Sequence, residues 1–251
     1  MEPAVHFRRL LPAGAPVDAA ELLDDLHPER RAPPGRPHIA VNMISSVDGR
    51  GALDGRTRGL GNAGDRALFH RLRAQADAVM AGASTIRAER YGPLIRDTEL
   101  IALRRARGEP VQPVAVTASR SLDFDPALPL LADPDSHLVV LTPSAGELPP
   151  CAARVTYIRG TSLTELVAAL RAELGVRSVV CEGGPTLNGE LVAAGLVDEL
   201  FLSISPLLVG GRRPLTIVEG APALTGLELI WLLEYDGLLQ ARYRAVPPGG
   251  A

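Results

Sequence analysis

Apolar and polar positions along this chain follow two different periods. Leu163, Leu166, Val167 and Leu170 recur at the spacing of one helical face, whereas residues 178–181 form a short, unbroken apolar run. The first pattern predicts an amphipathic helix and the second a buried strand. By the same criteria we predict strands at residues 39–44, 78–81, 114–117, 138–141, 155–158, 178–181 and 200–204, and helices at residues 64–75, 98–107, 163–174 and 186–194.

The alternation of strands and helices defines the fold class. It predicts an α/β domain over residues 38–251, with a mostly parallel central sheet and helices on both faces. The end of the chain differs, because residues 227–233 and 238–246 flank a turn-forming Tyr235-Asp236-Gly237. We therefore expect an antiparallel hairpin to close one edge of the sheet.

The first 37 residues differ in composition from the rest. They are rich in Pro, Ala and Arg, and we interpret them as an N-terminal arm with one short helix. The spacing of Asp18 and Glu21 is that of a capping box, which predicts a helix over residues 19–26. Two placements of this arm remain open: against the main domain, or at a subunit interface.

Composition excludes several classes of protein. The net charge of −3 and the aromatic content of 4% argue against a nucleic-acid partner. The two cysteines form no C-x-x-C pair and the five histidines have no paired spacing, so we expect no metal site. No apolar segment is long enough for a membrane span and no signal peptide is evident, so we expect a cytoplasmic protein with free thiols.

The most informative motif joins a predicted strand to a predicted helix. Residues 178–181 lead through Glu182 into Gly183 and Gly184, and Pro185 opens the helix. Paired glycines at such a junction let backbone N–H groups approach a phosphate closely. The motif fits either a pyrophosphate site for a nucleotide cofactor or a tight turn without a ligand.

Polar clusters follow three other predicted strands, at the sheet edge where α/β proteins bind ligands. Asp48, in an Asp-Gly pair, is either a simple turn residue or a group that orients a substrate and manages a proton. Ser84 is either a helix cap or part of a second cofactor contact. Ser119 and Arg120 either hold a phosphate monoester or lie in a solvated loop. A Gly-rich segment, residues 53–62, predicts a mobile loop over the cleft.

Six motifs in order are similar to those of one family, the reductase domain of bacterial riboflavin biosynthesis, which has the dihydrofolate-reductase-like fold. The resemblance covers roughly residues 38–245. The motifs are Ser45-Ser46-Val47-Asp48-Gly49-Arg50, Leu72-Arg73-Ala74-Gln75-Ala76-Asp77-Ala78, Gly82-Ala83-Ser84-Thr85-Ile86-Arg87-Ala88, Glu182-Gly183-Gly184-Pro185-Thr186-Leu187, Gly195-Leu196-Val197-Asp198-Glu199-Leu200 and Ser205-Pro206-Leu207-Leu208-Val209-Gly210-Gly211.

The resemblance implies an NADPH-dependent reductase of 5-amino-6-(5-phosphoribosylamino)uracil, which transfers hydride to ribose C1′ and gives the ribitylamino product. It implies a homodimer, a small-molecule substrate and Asp48 as the catalytic residue facing that substrate. The implied substrate-binding residues are Asn42, Ser46, Asp48, Arg66 and Arg96. The implied cofactor-binding residues are Gly82, Ala83, Ser84, Thr85, Thr117, Ser119, Arg120, Glu182, Gly183, Gly184, Thr186 and Leu187, with Ser119 and Arg120 assigned to the 2′-phosphate.

The chain departs from the family pattern on the substrate side. It has Leu60-Gly61-Asn62 where family members have a Trp, and Glu89-Arg90 where they have an acidic pair. It also lacks the H-x-E and P-C-x-x-C ligands of the zinc deaminase that accompanies many members, so we expect a stand-alone reductase. Two alternatives remain: a reductase of a related heterocycle such as dihydrofolate, and a regulatory NADP-binding protein without turnover.

Overall fold

The computed structural model describes residues 5–23, 26–212 and 215–246. In these residues the strands are β1 (His6–Leu11), β2 (Val17–Asp18), β3 (His38–Ser46), β4 (Ala78–Met80), β5 (Val114–Ala118), β6 (His137–Thr142), β7 (Arg154–Arg159), β8 (Ser178–Cys181), β9 (Glu199–Ser205), β10 (Gly226–Tyr235) and β11 (Leu238–Val246). The helices are α1 (Ala19–Leu23), α2 (Ala63–Gln75), α3 (Ala83–Ala88), α4 (Thr98–Ala106), α5 (Pro129–Ala132), α6 (Leu163–Leu174) and α7 (Pro185–Ala193), with a short 3₁₀ helix at Pro28–Arg31.

One sheet holds all of these strands, in the order β2-β1-β10-β11-β9-β3-β8-β4-β5-β6-β7. From β9 to β7 every neighbouring pair is parallel, whereas β11 pairs antiparallel both with β9 and with β10, its partner in the hairpin. The predicted fold class is therefore confirmed, including the mostly parallel sheet and the antiparallel C-terminal hairpin.

The position of the hairpin corrects one expectation. The hairpin does not form an edge, because β1 pairs antiparallel with β10 and β2 follows β1. Strand β1 was not predicted, since its sequence is neither an apolar run nor a clean alternation. What holds it in place is backbone pairing together with Phe7, which is fully buried.

The N-terminal arm thus packs on the main sheet. Helix α1 begins at Ala19, as predicted, and the Asp18 carboxylate accepts a hydrogen bond from the Glu21 amide at 2.8 Å. Residues 24–25 of the predicted helix and residues 247–251 of the predicted domain lie outside the described residues. The boundary at residue 37 between arm and domain stays a prediction.

Helices cover both faces of the sheet because buried side chains alternate along the central strands. On β3, Ile39 and Val41 pack with the apolar sides of α6 and α7. Ala40 lies on the opposite face, in a cluster with Leu68 and Leu72 of α2. Both faces of the parallel sheet are therefore covered by apolar packing, and the polar clusters lie at the ends of the strands.

Candidate active site

Two glycine turns lie side by side where β4 and β8 end. The Gly82 amide donates a hydrogen bond to the Gly183 carbonyl at 2.7 Å. A Cβ atom on Gly82 would lie 3.3 Å from the Gly184 nitrogen, and one on Gly184 would lie 2.9 Å from Thr85 Oγ1. Side chains at either glycine would therefore push the two turns apart.

A cavity of about 410 Å³ opens beside these turns. Helix α7 begins at its wall, with Gly184 as an N-cap that supplies no side-chain acceptor to the first amides of the helix. The first amides of a helix attract anions. The cavity is lined by Gly82, Ala83, Ser84, Arg87, Ala118, Ser119, Arg120, Ser121, Leu141, Pro143, Gly160, Thr161, Leu163, Leu166, Gly184, Pro185, Thr186, Leu187 and Glu190.

The chemistry of this lining fits a nucleotide cofactor. Five hydroxyl side chains and two guanidinium groups surround a glycine cradle, which is the donor set that phosphate oxygens require. The Arg120 side chain is 86% exposed and pairs with Glu190 across 3.6 Å, which places its guanidinium group at the cavity lining. Arg87 donates to the Asp123 carbonyl at 2.8 Å, which holds its guanidinium beside the cavity.

A second cavity, of about 740 Å³, lies on the other side of the glycine turns. Strand β3, helix α2, the 57–61 loop and the 89–97 segment form its walls. Thr85 and Glu182 line this larger cavity, while Ser84 and Gly184 line the smaller one. Residues adjacent in sequence around the glycine turns therefore line one cavity or the other, which places the two cavities on either side of these turns.

A buried network forms the floor of the larger cavity. Arg73 donates to both oxygens of Glu182, at 2.6 and 2.7 Å, and to the Leu94 carbonyl at 3.0 Å. The Tyr91 hydroxyl donates to the same carboxylate, and Arg73 stacks 4.2 Å from the centre of the Phe69 ring. These contacts join α2, β8 and the 89–97 segment into one rigid wall.

The electrostatics of the network follow from burial and charge. Burial raises the pKa of Tyr91 well above its ordinary value, and the Glu182 charge raises it further, so the phenol stays protonated. Burial by itself would lower the pKa of Arg73, but the neighbouring Glu182 carboxylate outweighs this effect and raises it. Arg73 and Glu182 therefore persist as an ion pair.

Most of the predicted cofactor residues come together in the smaller cavity. Thr85 and Glu182 belong instead to the larger one. Gly183 lines neither cavity and lies between them, and Thr117 is fully buried within β5. The predicted residues that line the smaller cavity are Gly82, Ala83, Ser84, Ser119, Arg120, Gly184, Thr186 and Leu187.

The predicted substrate residues divide differently. Asn42, Arg66 and Arg96 line the larger cavity. Ser46 and Asp48 do not line either cavity, although both lie at the same end of the sheet.

Asp48 instead fixes the loop that follows β9. Its carboxylate accepts hydrogen bonds from Ser46 Oγ at 2.5 Å, from the Gly210 amide at 2.8 Å and from the Val209 amide at 3.1 Å. Because these donors favour the ionised form, they hold the pKa of Asp48 well below its ordinary value. The catalytic assignment of Asp48 stays a prediction, and its contacts are those of a loop anchor.

The sequence reasoning missed Asp65 as a cavity residue. Asp65 lies in the first turn of α2, lines the larger cavity and accepts a hydrogen bond from the side chain of Ser203. Burial raises the pKa of this carboxyl above its ordinary value. The spacing to Phe69 and Arg73 places all three on the same helical face, which is the signal that would have pointed to it.

Fold and site together define a class: a dihydrofolate-reductase-like α/β protein in which two cavities flank paired glycine turns at the ends of the strands. The comparisons with known proteins name the family. The model of the RibD C-terminal domain matches residues 37–236, and the chain belongs to that family. The predicted family resemblance and the oxidoreductase class are confirmed.

Individual relatives agree with this assignment. The chain is 28% identical to the 2,5-diamino-6-ribosylamino-4(3H)-pyrimidinone 5′-phosphate reductase of Archaeoglobus fulgidus, over 74% of this chain and 87% of that protein. It is 31% identical to the riboflavin biosynthesis protein RibD of Mycobacterium tuberculosis, over 81% of this chain and 50% of that protein. The structure of a pyrimidine reductase-like protein from Corynebacterium diphtheriae has the same fold, with a TM-score of 0.72 and 24% identity over 84% of this chain and 92% of that one.

Among residues 5–23, 26–212 and 215–246, no helix is both long and apolar enough to cross a membrane. The same part of the chain contains no group of three His, Cys, Asp or Glu residues arranged to hold a metal ion.

Proposed function

We propose that this protein catalyses the NADPH-dependent reduction of 5-amino-6-(5-phosphoribosylamino)uracil to its ribitylamino product. The observation that carries the proposal is that two cavities flank Thr85 and the Gly183–Gly184 turn. A hydride passes only between reactants in contact, so the nicotinamide and the reacting carbon of the substrate would have to reach each other at this junction.

NADPH would occupy the smaller cavity. Gly82 and Gly184 give its pyrophosphate close access to backbone amides, and Thr186 adds a hydroxyl at the start of α7. Ser119 and Arg120 would hold the 2′-phosphate, which NADH lacks. When bound, the nicotinamide supplies the hydride, and the protein supplies orientation and electrostatic support.

The substrate would occupy the larger cavity. Arg66 and Arg96 line it with exposed side chains, and Arg58 and Arg90 lie on the same walls. Such a concentration of guanidinium groups suits a phosphate ester. The fixed Arg73–Glu182 pair keeps the floor of the cavity in shape while the phosphate end is held.

The names of the relatives widen the substrate class by one compound. The A. fulgidus protein is named for 2,5-diamino-6-ribosylamino-4(3H)-pyrimidinone 5′-phosphate. This compound and the uracil share the ribosylamino phosphate on which reduction takes place. The larger cavity, with its arginines, fits that shared part, and dihydrofolate has no phosphate to engage it.

The test is NADPH oxidation by the purified protein with the uracil, the diaminopyrimidinone and dihydrofolate offered in parallel, and with NADH as the cofactor control. We expect turnover of a phosphoribosylamino-pyrimidine with NADPH and much slower turnover with NADH. Turnover of dihydrofolate alone would contradict the proposal. Tight NADPH binding without any turnover would instead favour the regulatory alternative.

We also propose that the protein forms a homodimer in a reducing cytosol. Leu208 and Leu224 have exposed fractions of 82% and 93%, and both lie in the loop region between β9 and β10. Exposed apolar side chains favour contact with another protein surface. Light scattering on the full chain, and on a variant with Leu208→Ser and Leu224→Ser, tests this: we expect a dimer for the first and a weakened dimer for the second.

A further inference from the structure

We propose that Asp65 is the proton donor of the reduction. The inference rests on the proposed function and adds to it a residue that had no assigned role. Opening of the ribose ring gives a C1′=N imine. Addition of hydride to C1′ turns the π electron pair of the C=N bond into a lone pair on nitrogen. That nitrogen then takes the Asp65 proton to become the N–H of the product, and the Asp65 carboxylate recovers a proton from water. The donor must therefore be an acid that faces the cavity.

Other carboxyl groups along the larger cavity are already engaged. Glu182 accepts hydrogen bonds from Nε and Nη2 of Arg73, at 2.6 and 2.7 Å. Glu89 accepts from the backbone amide of Thr57 at 2.9 Å and from its hydroxyl at 3.2 Å. Asp97 caps α4 and accepts from two of its amides. Each of these three carboxylates therefore already has donors of the protein itself as its partners.

The surroundings of Asp65 are different. Its carboxyl lies over Gly61, so closely that a Cβ atom on Gly61 would overlap Asp65 Oδ2. It accepts a hydrogen bond from the side chain of Ser203 on β9, and the positive charge of Arg66 also favours its ionised form. Burial outweighs both effects and raises the pKa of Asp65, so this carboxyl holds its proton to a higher pH than an exposed aspartate.

The three strands packed against the start of α2 contribute neutral side chains. Strands β3, β9 and β11 contribute Asn42, Ser203 and Gln240. Gln240 is 2% exposed, and neither of its amide atoms has a hydrogen-bond partner among the described residues. The charged or titratable groups facing this region are Arg58, Arg66, His70, Arg73, Glu89, Tyr91, Arg90, Arg96, Asp97, Glu182 and Tyr235.

The first test replaces the acid with its neutral isostere. We expect Asp65→Asn to lower kcat by about 100-fold or more, the size typical of general acid catalysis, while the Kd for NADPH changes less than about twofold. The wild-type kcat should fall as pH rises through the pKa of Asp65, and this limb of the pH profile should vanish in Asp65→Asn. Asp65→Glu should restore part of kcat together with the limb.

The second test moves the carboxyl without removing it. Gly61→Ala should displace the Asp65 carboxyl and lower kcat by about tenfold, with the pH limb retained. Carbon-13 NMR of the aspartate side chains, on the protein without cofactor, should show a raised pKa for the resonance that disappears in Asp65→Asn. This NMR measurement does not depend on catalytic turnover.

The outcomes separate the proposals. An active wild type with an equally active Asp65→Asn overturns the role of Asp65 and leaves the proposed function standing. So does a pH limb that disappears in His70→Asn but persists in Asp65→Asn, since His70 lines the same cavity. An aspartate resonance with an ordinary pKa also overturns the role. A wild type that reduces neither pyrimidine overturns the proposed function, and the proton-donor role with it.

Discussion

Arg73 and Glu182 lie 109 positions apart in the chain and form a two-pronged ion pair beneath the larger cavity. The side chains are 10% and 3% exposed, so each charge depends on the other for its stability. The pair ties helix α2 to the end of β8, immediately before the glycine turn that separates the two cavities. One buried contact therefore joins the floor of the larger cavity to the strand that leads into the glycine turn.

Breaking this pair from one side should destabilise the fold strongly. Arg73→Met leaves the Glu182 carboxylate buried without a cation, and we expect a loss of about 3–5 kcal/mol in the free energy of unfolding. Arg73→Lys keeps the positive charge but makes only one of the two hydrogen bonds to Glu182, so the loss in free energy of unfolding should be smaller. Urea unfolding measures both. Arg8→Lys is the matched control, since the Arg8–Glu234 pair lies at the surface and should change stability by less than about 1 kcal/mol.

A side chain at the glycine turn should block the cofactor. Gly184→Val places atoms against Thr85 and into the smaller cavity, so we expect NADPH affinity to fall by more than about tenfold in calorimetry. Gly146→Val serves as the control, because Gly146 is exposed and lines neither cavity. Equal affinities of the two variants would remove the glycine turn from the cofactor site.

The preference for NADPH over NADH should depend on Arg120. Loss of its guanidinium in Arg120→Ala removes a charge-assisted contact, and we expect the KM for NADPH to rise by about tenfold while the KM for NADH stays unchanged. Arg105→Ala removes the same charge from an exposed position on α4, away from both cavities. A rise in KM for both cofactors would contradict recognition of the 2′-phosphate.

The Asp48 carboxylate should control the order of the loop after β9. In Asp48→Asn one oxygen acceptor is replaced by an NH₂ group, so the amide of Val209 or Gly210 loses its partner. We expect faster hydrogen exchange at these two amides, with exchange at the β3 core amides unchanged. Unaltered exchange at both would show that Asp48 does not hold the loop.

His38 should make stability dependent on pH. It is 3% exposed, and burial lowers its pKa despite the opposing charges of Glu199 and Asp198. The unfolded chain therefore binds the proton more readily than the folded protein. The contribution of His38 to the free energy of unfolding is fully present above its unfolded pKa of about 6.5. This contribution is lost as the pH drops below that value. The urea midpoint should decrease between about pH 7.5 and pH 5.5, and less so in His38→Gln. Equal decreases of the urea midpoint in the wild type and in His38→Gln would show that another group causes the pH dependence.

Local patterns in the sequence determined much of this fold. The apolar run at residues 178–181 and the helical period of Leu163, Leu166 and Leu170 appear in the structure as β8 and α6. These features depend on interactions between near neighbours and on burial of one face, which a sequence displays directly. The order of the motifs likewise identified the family, and most of the glycine-containing ones lie where a strand ends.

Tertiary structure alone decided the rest. Strand β1 exists because β10 offers backbone partners to a segment without an apolar pattern. Asp48 and Asp65 are both aspartates near turns in the sequence. Asp48 accepts hydrogen bonds from the amides of a distant loop, whereas Asp65 accepts one from the side chain of a distant serine inside a cavity. Long-range contacts set the burial and the hydrogen bonds of each carboxyl. Those surroundings decide whether it stays ionised or keeps a proton, and no local pattern encodes them.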